Sequence, residues 1–586
     1  MPVVEVVRAY RFALDVPPAG IEVLERHAGA ARWGFNYAHQ QLLDRYQAYD
    51  ARREAAALTV SGLSPEERLD VLSKAERTAL YRQAGARVRA ENARWCADLK
   101  VLDEHRKRVA HKGKPALDPG EEPGPDAGNL ARDLYARRVE LAALQCAAPG
   151  TYSAERKAEL EQVRPRVQAL KTDLAARGAY RLGVMDLNAR WRLERDLPRE
   201  EGGSPWWREV HIDAILCGIA RADTAWKNWL SSAAGKRRGR RVGAPRFKSK
   251  RTARHSFTLP NPDRAVIHLP DYRHLSVRGL GTFRLHDTAK RLVGLMRCGQ
   301  AEITSVTVAR GGHRWYASVL ATVRQTVPDR PSERQRANGL IACDLGSQPL
   351  AVLSSPLDIT DPDRRTIASL KPGRNAAHHL ARAQRRLARC AKGSRRRRKA
   401  ARHVAKIHHN VAQQRAGHLH VVSKRLATGA AVIALEDLDL VALTASAKGT
   451  AEEPGTNVRV RARFNRNLLD TGLGELRRQL TYKTRWYGST LLILERGEAT
   501  STKCSRCGER NPNSTPGKAR FTCPHCGLVL SRRDNAVRNI YKAARRAATR
   551  SVAPGRGDTQ NARRDKNPPH TGNGDGPLSM KRTPPG

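Results

Sequence analysis

Gly339-Leu-Ile-Ala-Cys-Asp344-Leu-Gly346 reads as an apolar strand that ends by delivering a carboxylate just before a glycine turn, with a second short strand at Leu350 to Leu353. Its counterpart is Ala430-Ala-Val-Ile-Ala-Leu435, a continuous apolar run with Glu436 directly after it. Runs of this kind suit a parallel sheet buried on both faces. Carboxylates at the ends of buried strands are unusual. A pair of them suits a divalent-metal site, where hard oxygen ligands clamp Mg2+. Each acid taken alone also reads as a surface residue at a strand-to-loop junction.

Between the two runs, about Asn375 to Ala427 predicts a helical segment, with apolar positions including Leu380, Leu387, Val404, Ile407, Val411, Leu419, Val422 and Leu426. It carries the basic run Arg395-Arg396-Arg397-Arg398-Lys399. Upstream, Val3 to Leu14 alternates as a strand and Asp15-Val-Pro-Pro-Ala-Gly20 ends it. Residues Ile21 to Asp196 then read as helices, broken at His111 to Asn129 and at Ala148-Pro-Gly-Thr151. After Pro198 to Pro205 a further helix ends near Leu230, and Gly243 to Val327 predicts short strands. Val306 to Arg310 and Trp315 to Val323 form a hairpin within it.

Downstream, Cys504-Ser-Arg-Cys507 and Cys523-Pro-His-Cys526, separated by fifteen residues, have the spacing of a four-thiolate zinc site. A glycine after each pair, Gly508 and Gly527, permits the tight turn that lets the sulfurs converge. A redox Cys-x-x-Cys pair would sit in a βαβ setting as a single motif, which is not the pattern here. Such a site is structural and names no function. The remaining cysteines, Cys96, Cys146, Cys217, Cys298, Cys343 and Cys390, are scattered, as in a reduced cytosolic protein.

The charge balance points to a polyanion. Lys and Arg number 107 against 57 Asp and Glu, a formal charge of +50 over 586 residues. Only 5% of residues are aromatic, so phosphate neutralisation rather than base stacking should supply most of the affinity. No stretch reaches 18 apolar residues and Met1-Pro-Val-Val-Glu begins no signal peptide, so a soluble, intracellular protein with no membrane partner is expected.

Taken in order, Gly243-Ala-Pro-Arg-Phe-Lys-Ser-Lys250, the Asp344 strand, Leu435-Glu-Asp-Leu438, Arg478-Gln-Leu-Thr-Tyr-Lys483 with Trp486-Tyr-Gly488, the zinc array and Asn535-Ala-Val-Arg-Asn-Ile540 resemble the RuvC-like TnpB transposon nucleases and their descendants, the type V CRISPR effectors. The match runs from about Gly243 to Ala544, and Arg8-Ala-Tyr-Arg-Phe12 is similar to the start of that family's wedge domain. The resemblance implies a multidomain α+β protein: a β-rich wedge (1–16 and 206–335), an α-helical recognition domain (17–205), an RNase H-like (RuvC) α/β domain (336–498 and 531–549), an inserted zinc ribbon (499–530) and a disordered tail (550–586). It implies a monomeric effector whose partners are a guide RNA (crRNA) and target double-stranded DNA, with structural Zn2+ on Cys504, Cys507, Cys523 and Cys526. It further implies Mg2+ at a RuvC-like site of Asp344, Glu436 and a third acid. Nucleic-acid contacts would fall on Arg246, Lys248, Lys250 and Arg251, and on Arg395, Arg396, Arg397 and Arg398, a run that also reads as a solvated helix face. Thr444 to Thr456 lies where relatives carry a lid loop.

The chain departs from the pattern at the third acid. Cleaving relatives read Asp-x-Asn-Ala there, and the aspartate position holds Arg533. Asp534 is adjacent, but one residue rotates a helical side chain by about 100°. A guanidinium in that place repels Mg2+ and pairs with Asp344 or Glu436, whereas a one-residue slip of the helix start would restore Asp534. Two readings follow. In the first, the chain resembles the type V-M group, binding target DNA as an R-loop under guide control in antiviral defence and silencing without cutting. In the second, it is an RNA-guided, Mg2+-dependent nuclease using Asp344, Glu436 and Asp534. A guide-free zinc-ribbon regulator is a third, disfavoured by the wedge-like motifs.

Overall fold

The computed structural model describes residues 3–110, 117–124, 126–237, 239–359, 365–450, 453–495, 501–511 and 519–551. The expected tail lies almost wholly outside them.

The first strand, β1 (Val3–Asp15), belongs to a sheet whose other members come more than 240 residues later. Those are β2 (Ser256–Pro260), β3 (Ile267–His268), β4 (His274–Val277), β5 (Gly281–Leu285), β6 (Ala301–Gly311) and β7 (Arg314–Thr326). The order is β2-β6-β7-β1-β5-β4-β3, antiparallel throughout. Residues Val3 to Ala13 pair with β7, and Leu14 and Asp15 cross to β5, which curls the sheet around a core of Phe12, Leu14, Phe257, Leu259, Val306 and Val319.

The named elements described between β1 and β2 are all helices, among them α1 (Pro18–Ser61), α2 (Pro65–Val71), α3 (Lys74–Trp95), α4 (Ala97–Val109), α5 (Asn129–Ala147), α6 (Pro149–Ala176), α7 (Val184–Glu194) and α8 (Ile212–Ala233). Ser64 with Glu67 and Ser73 with Glu76 form capping boxes that start α2 and α3. Helices α1 and α8 cross where only glycine fits. A Cβ on Gly34 would stand 2.5 Å from the Ile215 carbonyl oxygen, and one on Gly218 would stand 2.3 Å from that of Ala31. Helix α1 thus seats Leu24, Ala28 and Ala31 against the sheet and Phe35, Ala38 and Leu42 against α8.

After α9 (Lys290–Arg297) and α10 (Glu333–Asn338), a second sheet collects β8 (Leu340–Leu345), β9 (Ala351–Leu353), β10 (Thr366–Ile367), β11 (Val432–Leu435) and β12 (Thr490–Ile493) in the order β10-β9-β8-β11-β12. The first three strands run as an antiparallel meander; β8, β11 and β12 are parallel. Ile341, Cys343, Ile433 and Leu435 face helices carrying Leu419, Leu426, Leu476 and Leu480. On the other face, Ala342 and Ala434 meet Val537, Ile540 and Ala544.

The expected helical segment from 375 to 427 comprises two helices, α11 (Pro372–Ala388) and α12 (Arg395–Gly429), which pack together as a hairpin. Gly393 takes the left-handed conformation at φ +84°, and the Ser394 hydroxyl accepts from the Arg397 N–H at 3.0 Å to start the second helix. Then follow α13 (Leu440–Leu443), α14 (Val458–Thr471), α15 (Leu473–Tyr487), a two-stranded sheet of β13 (Arg520–Thr522) and β14 (Val529–Ser531), and α16 (Arg532–Ser551). The hairpin Val306 to Val323 is present and longer than expected, spanning β6 and β7.

Candidate functional site

Parallel register brings the two strand-end acids together. Leu435 pairs with Cys343, so Asp344 and Glu436 are the next residue on each of two neighbouring strands. Period-two alternation puts Asp344, the penultimate residue of β8, on the face of Ala342, which with Ala434 meets α16; Glu436 is the first residue past β11. On that helix Val537, Ile540 and Ala544 form the stripe against the sheet. Stepping back one turn from Val537 gives Arg533, not Asp534.

Arg533 fills the position. Its Nε donates to Asp344 Oδ2 at 2.6 Å, Nη2 to the Asp344 carbonyl at 2.5 Å and Nη1 to the Pro349 carbonyl at 2.7 Å. Gly346 leaves the room, since a Cβ there would come within 3.0 Å of the guanidinium. Burial pushes the Asp344 carboxyl up and the Arg533 charge opposes it. Asp534, rotated away, accepts from Arg365 Nη2 at 2.9 Å and from the Ser531 hydroxyl at 2.5 Å. Arg365 also donates to the Ser354 carbonyl at 3.0 Å, and Ser354 Oγ accepts from the Ala342 N–H. Mg2+ demands near-octahedral oxygen ligands at about 2.0–2.1 Å. With a guanidinium on Asp344 and a second on Asp534, these side chains as arranged do not fit it.

The four cysteines do converge. Their sulfurs all lie within 4.8 Å of one another, with 3.6 Å between Cys504 and Cys526 and between Cys507 and Cys523. A tetrahedral ion with Zn–S bonds of about 2.3 Å implies sulfur separations of about 3.8 Å, while a disulfide needs about 2.05 Å. The set fits Zn2+. Among the described residues no other group of His, Cys, Asp or Glu gathers in this way.

Two family models match: one described as "Cas12f1-like, TNB domain" over residues 474–540 and one described as "Probable transposase" over residues 322–447. A Mycobacterium tuberculosis H37Rv protein, provisionally named RNA-guided DNA endonuclease Rv2885c, is 32% identical over 420 residues, covering 68% of this chain and 87% of that protein. The chain belongs to the TnpB-like family. Another member similar to this TnpB-like chain is InsQ of Escherichia coli K12, provisionally named in the same way, at 30% identity over 58% of this chain and 76% of that protein. A cryo-EM structure of a Cas12f1-sgRNA-target DNA complex aligns over 92% of this chain and 99% of that one at 11% identity and a TM-score of 0.36, a likeness too weak to argue from.

In this TnpB-like chain the basic residues singled out by sequence are not alike. Arg246, Lys250, Arg251, Arg395, Arg396 and Arg398 are exposed. Lys248 instead turns inward: its Nζ sits 3.5 Å from the Phe35 ring centroid, burial pulls its pKa down to about 8, and its backbone is bonded both ways by the Asn36 amide. Arg397 is likewise spent, donating to the Leu387 and Cys390 carbonyls at the end of α11. Thr444 to Thr456 is described only in part and brackets an isolated bridge between Gly449 and Pro454. Sequence reasoning missed Arg365, an ordinary arginine in a loop with no pattern to mark it. It also missed Asp470, whose role is created by helices distant in sequence.

Proposed function

We propose that this protein is an RNA-guided DNA-binding effector that holds a target as an R-loop and silences it without cutting. The observation that carries this is Arg533 seated on Asp344 at the position where a third acid would complete the site. Residues 336–498 and 531–549 form the RuvC-like domain, a reading supported by the β10-β9-β8-β11-β12 order with a meander followed by parallel strands. Residues 1–16 and 206–335 form the wedge, supported by β1 pairing with β7, and 17–205 the recognition domain. Residues 499–530 form a ribbon held by structural Zn2+. Guide RNA and target DNA are the partners, a proposal supported by the +50 charge and by the names of the relatives.

The names of those relatives equally favour a second reading, an RNA-guided endonuclease. It requires Asp534 to leave Arg365 and Asp344 to leave Arg533. The deciding experiment purifies the protein with co-expressed small RNAs, adds a matching supercoiled target with Mg2+, and scores gel shift and strand breaks together. A guide-dependent shift with the plasmid intact is expected. Guide-dependent nicking or linearisation establishes the nuclease instead.

A further inference from the structure

Helix α16 does two things at once. Its first turn carries Arg533 to Asp344, and from Asn535 to Lys542 it grips the backbone of the first cysteine knuckle. Asn535 is fully buried: its Oδ1 accepts from the Ser505 N–H at 2.8 Å and its Nδ2 donates to the Lys503 carbonyl at 2.7 Å, bracketing Cys504 from both sides. Asn539 donates to the same Lys503 carbonyl at 2.7 Å and Lys542 to the Ser505 carbonyl at 2.6 Å. Positions 535, 539 and 542 are successive steps along one helix face. From the other end, β14 runs directly into α16 and the Arg532 N–H donates to the Ala519 carbonyl. The knuckle's own geometry, Cys504 within 3.6 Å of Cys526, is what the metal would fix.

From this we infer that Asn535 is a positioning residue through which zinc occupancy of the ribbon sets the register of α16 against β8, and so the seating of residue 533 at the acidic site. This rests on the assignment of Zn2+ to the four cysteines. Asn535 touches neither the metal nor any reacting group; it acts by making the knuckle and the helix one body. An aspartate at the position keeps the acceptor for Ser505 and loses the donor to Lys503, while an alanine loses both.

The test compares the full chain, N535A and N535D, each with and without a zinc chelator. Zinc content is measured by a colorimetric indicator, and amide hydrogen exchange is followed in α16 (536–545) and β8 (340–345). N535A should retain its zinc yet exchange faster in both segments by at least about tenfold, with N535D intermediate. Chelation of the unsubstituted protein should give the same increase, and chelation of N535A should add little, since one coupling is being broken twice. Unchanged exchange in zinc-loaded N535A overturns the inference, as does acceleration confined to α16 that leaves β8 protected. Full additivity of chelation and substitution overturns it as well. Should the protein as purified hold no zinc, the metal assignment falls, and the exchange of N535A alone still decides whether the amide seats the helix.

Discussion

At the scale of single residues, identity mattered less than which neighbour each side chain could reach. Asp470 shows this most clearly. Helix α11 starts at Pro372 with Lys371 at its N-cap and no cap of its own, so its first N–H groups need a partner from elsewhere. Asp470, on α14, supplies it: Gly373 and Arg374 donate their backbone N–H groups at 2.9 and 3.0 Å, and Arg415 of α12 donates to the same carboxylate at 2.6 Å. Burial pushes the Asp470 carboxyl up, but the bonds from Arg415, Arg374 and Gly373 outweigh it, so it titrates below the ordinary aspartate value. A depressed folded-state pKa stabilises fully above the unfolded value of about 3.9, and that contribution is lost as pH falls through the folded value. D470N should therefore cost about 1–3 kcal/mol at pH 7, and the gap to the unsubstituted protein should close below about pH 4. Thermal unfolding midpoints across pH 3 to 7 check it. A gap that is constant with pH would mean that packing, not charge, is lost.

At the scale of elements, the helical hairpin of α11 and α12 separates structural from exposed arginines within one run of four. Arg397 ties the end of α11 by bonding the Leu387 and Cys390 carbonyls, whereas Arg395, Arg396 and Arg398 face solvent. R397A should destabilise the hairpin by about 1–2 kcal/mol. R395A and R396A should each change it by no more than about 0.5 kcal/mol. Hydrogen exchange of the α11 amides measures both. Helical periodicity at Leu380, Leu387, Val404 and Ile407 was legible in the sequence, but the break at 389–394 was not read, because a single glycine inside a helical pattern is tolerated and the cap role of Ser394 shows only once the second helix is seen to fold back on the first.

At the scale of the whole molecule, the first sheet meets helices that pack on the second. Arg8 of β1 stacks over the Trp486 ring at 4.1 Å, and the turn between β6 and β7 rests on α12, where a Cβ at Gly312 would come within 2.8 Å of Ala405 Cβ. If the chain binds nucleic acid as proposed, the net charge of +50 over its 586 residues makes that binding steeply salt-dependent. On the proposed reading, R396A should lower the slope of log affinity against log salt by about 0.9, the effect of one phosphate contact on duplex DNA. R397A, its side chain already committed internally, should leave that slope unchanged. Binding isotherms at several salt concentrations, with guide-loaded protein and matched duplex, distinguish them.

The sequence by itself determined the composition of the sites and much of the element list: two apolar strands each ending in an acid, four cysteines at zinc spacing, the long helical stretch after β1, and the β6–β7 hairpin. These are local patterns, fixed by period and by spacing along the chain. Tertiary structure alone decided what the pieces do to one another. That β1 pairs with β7, that Asp344 and Glu436 fall at the ends of adjacent parallel strands, and that Arg365 holds Asp534 all depend on contacts between residues distant in the chain. The register of α16 is the sharpest case. Sequence left Arg533 and Asp534 one position apart, and the side-chain stripe of Val537, Ile540 and Ala544 against the sheet is what turns the arginine inward and the aspartate away.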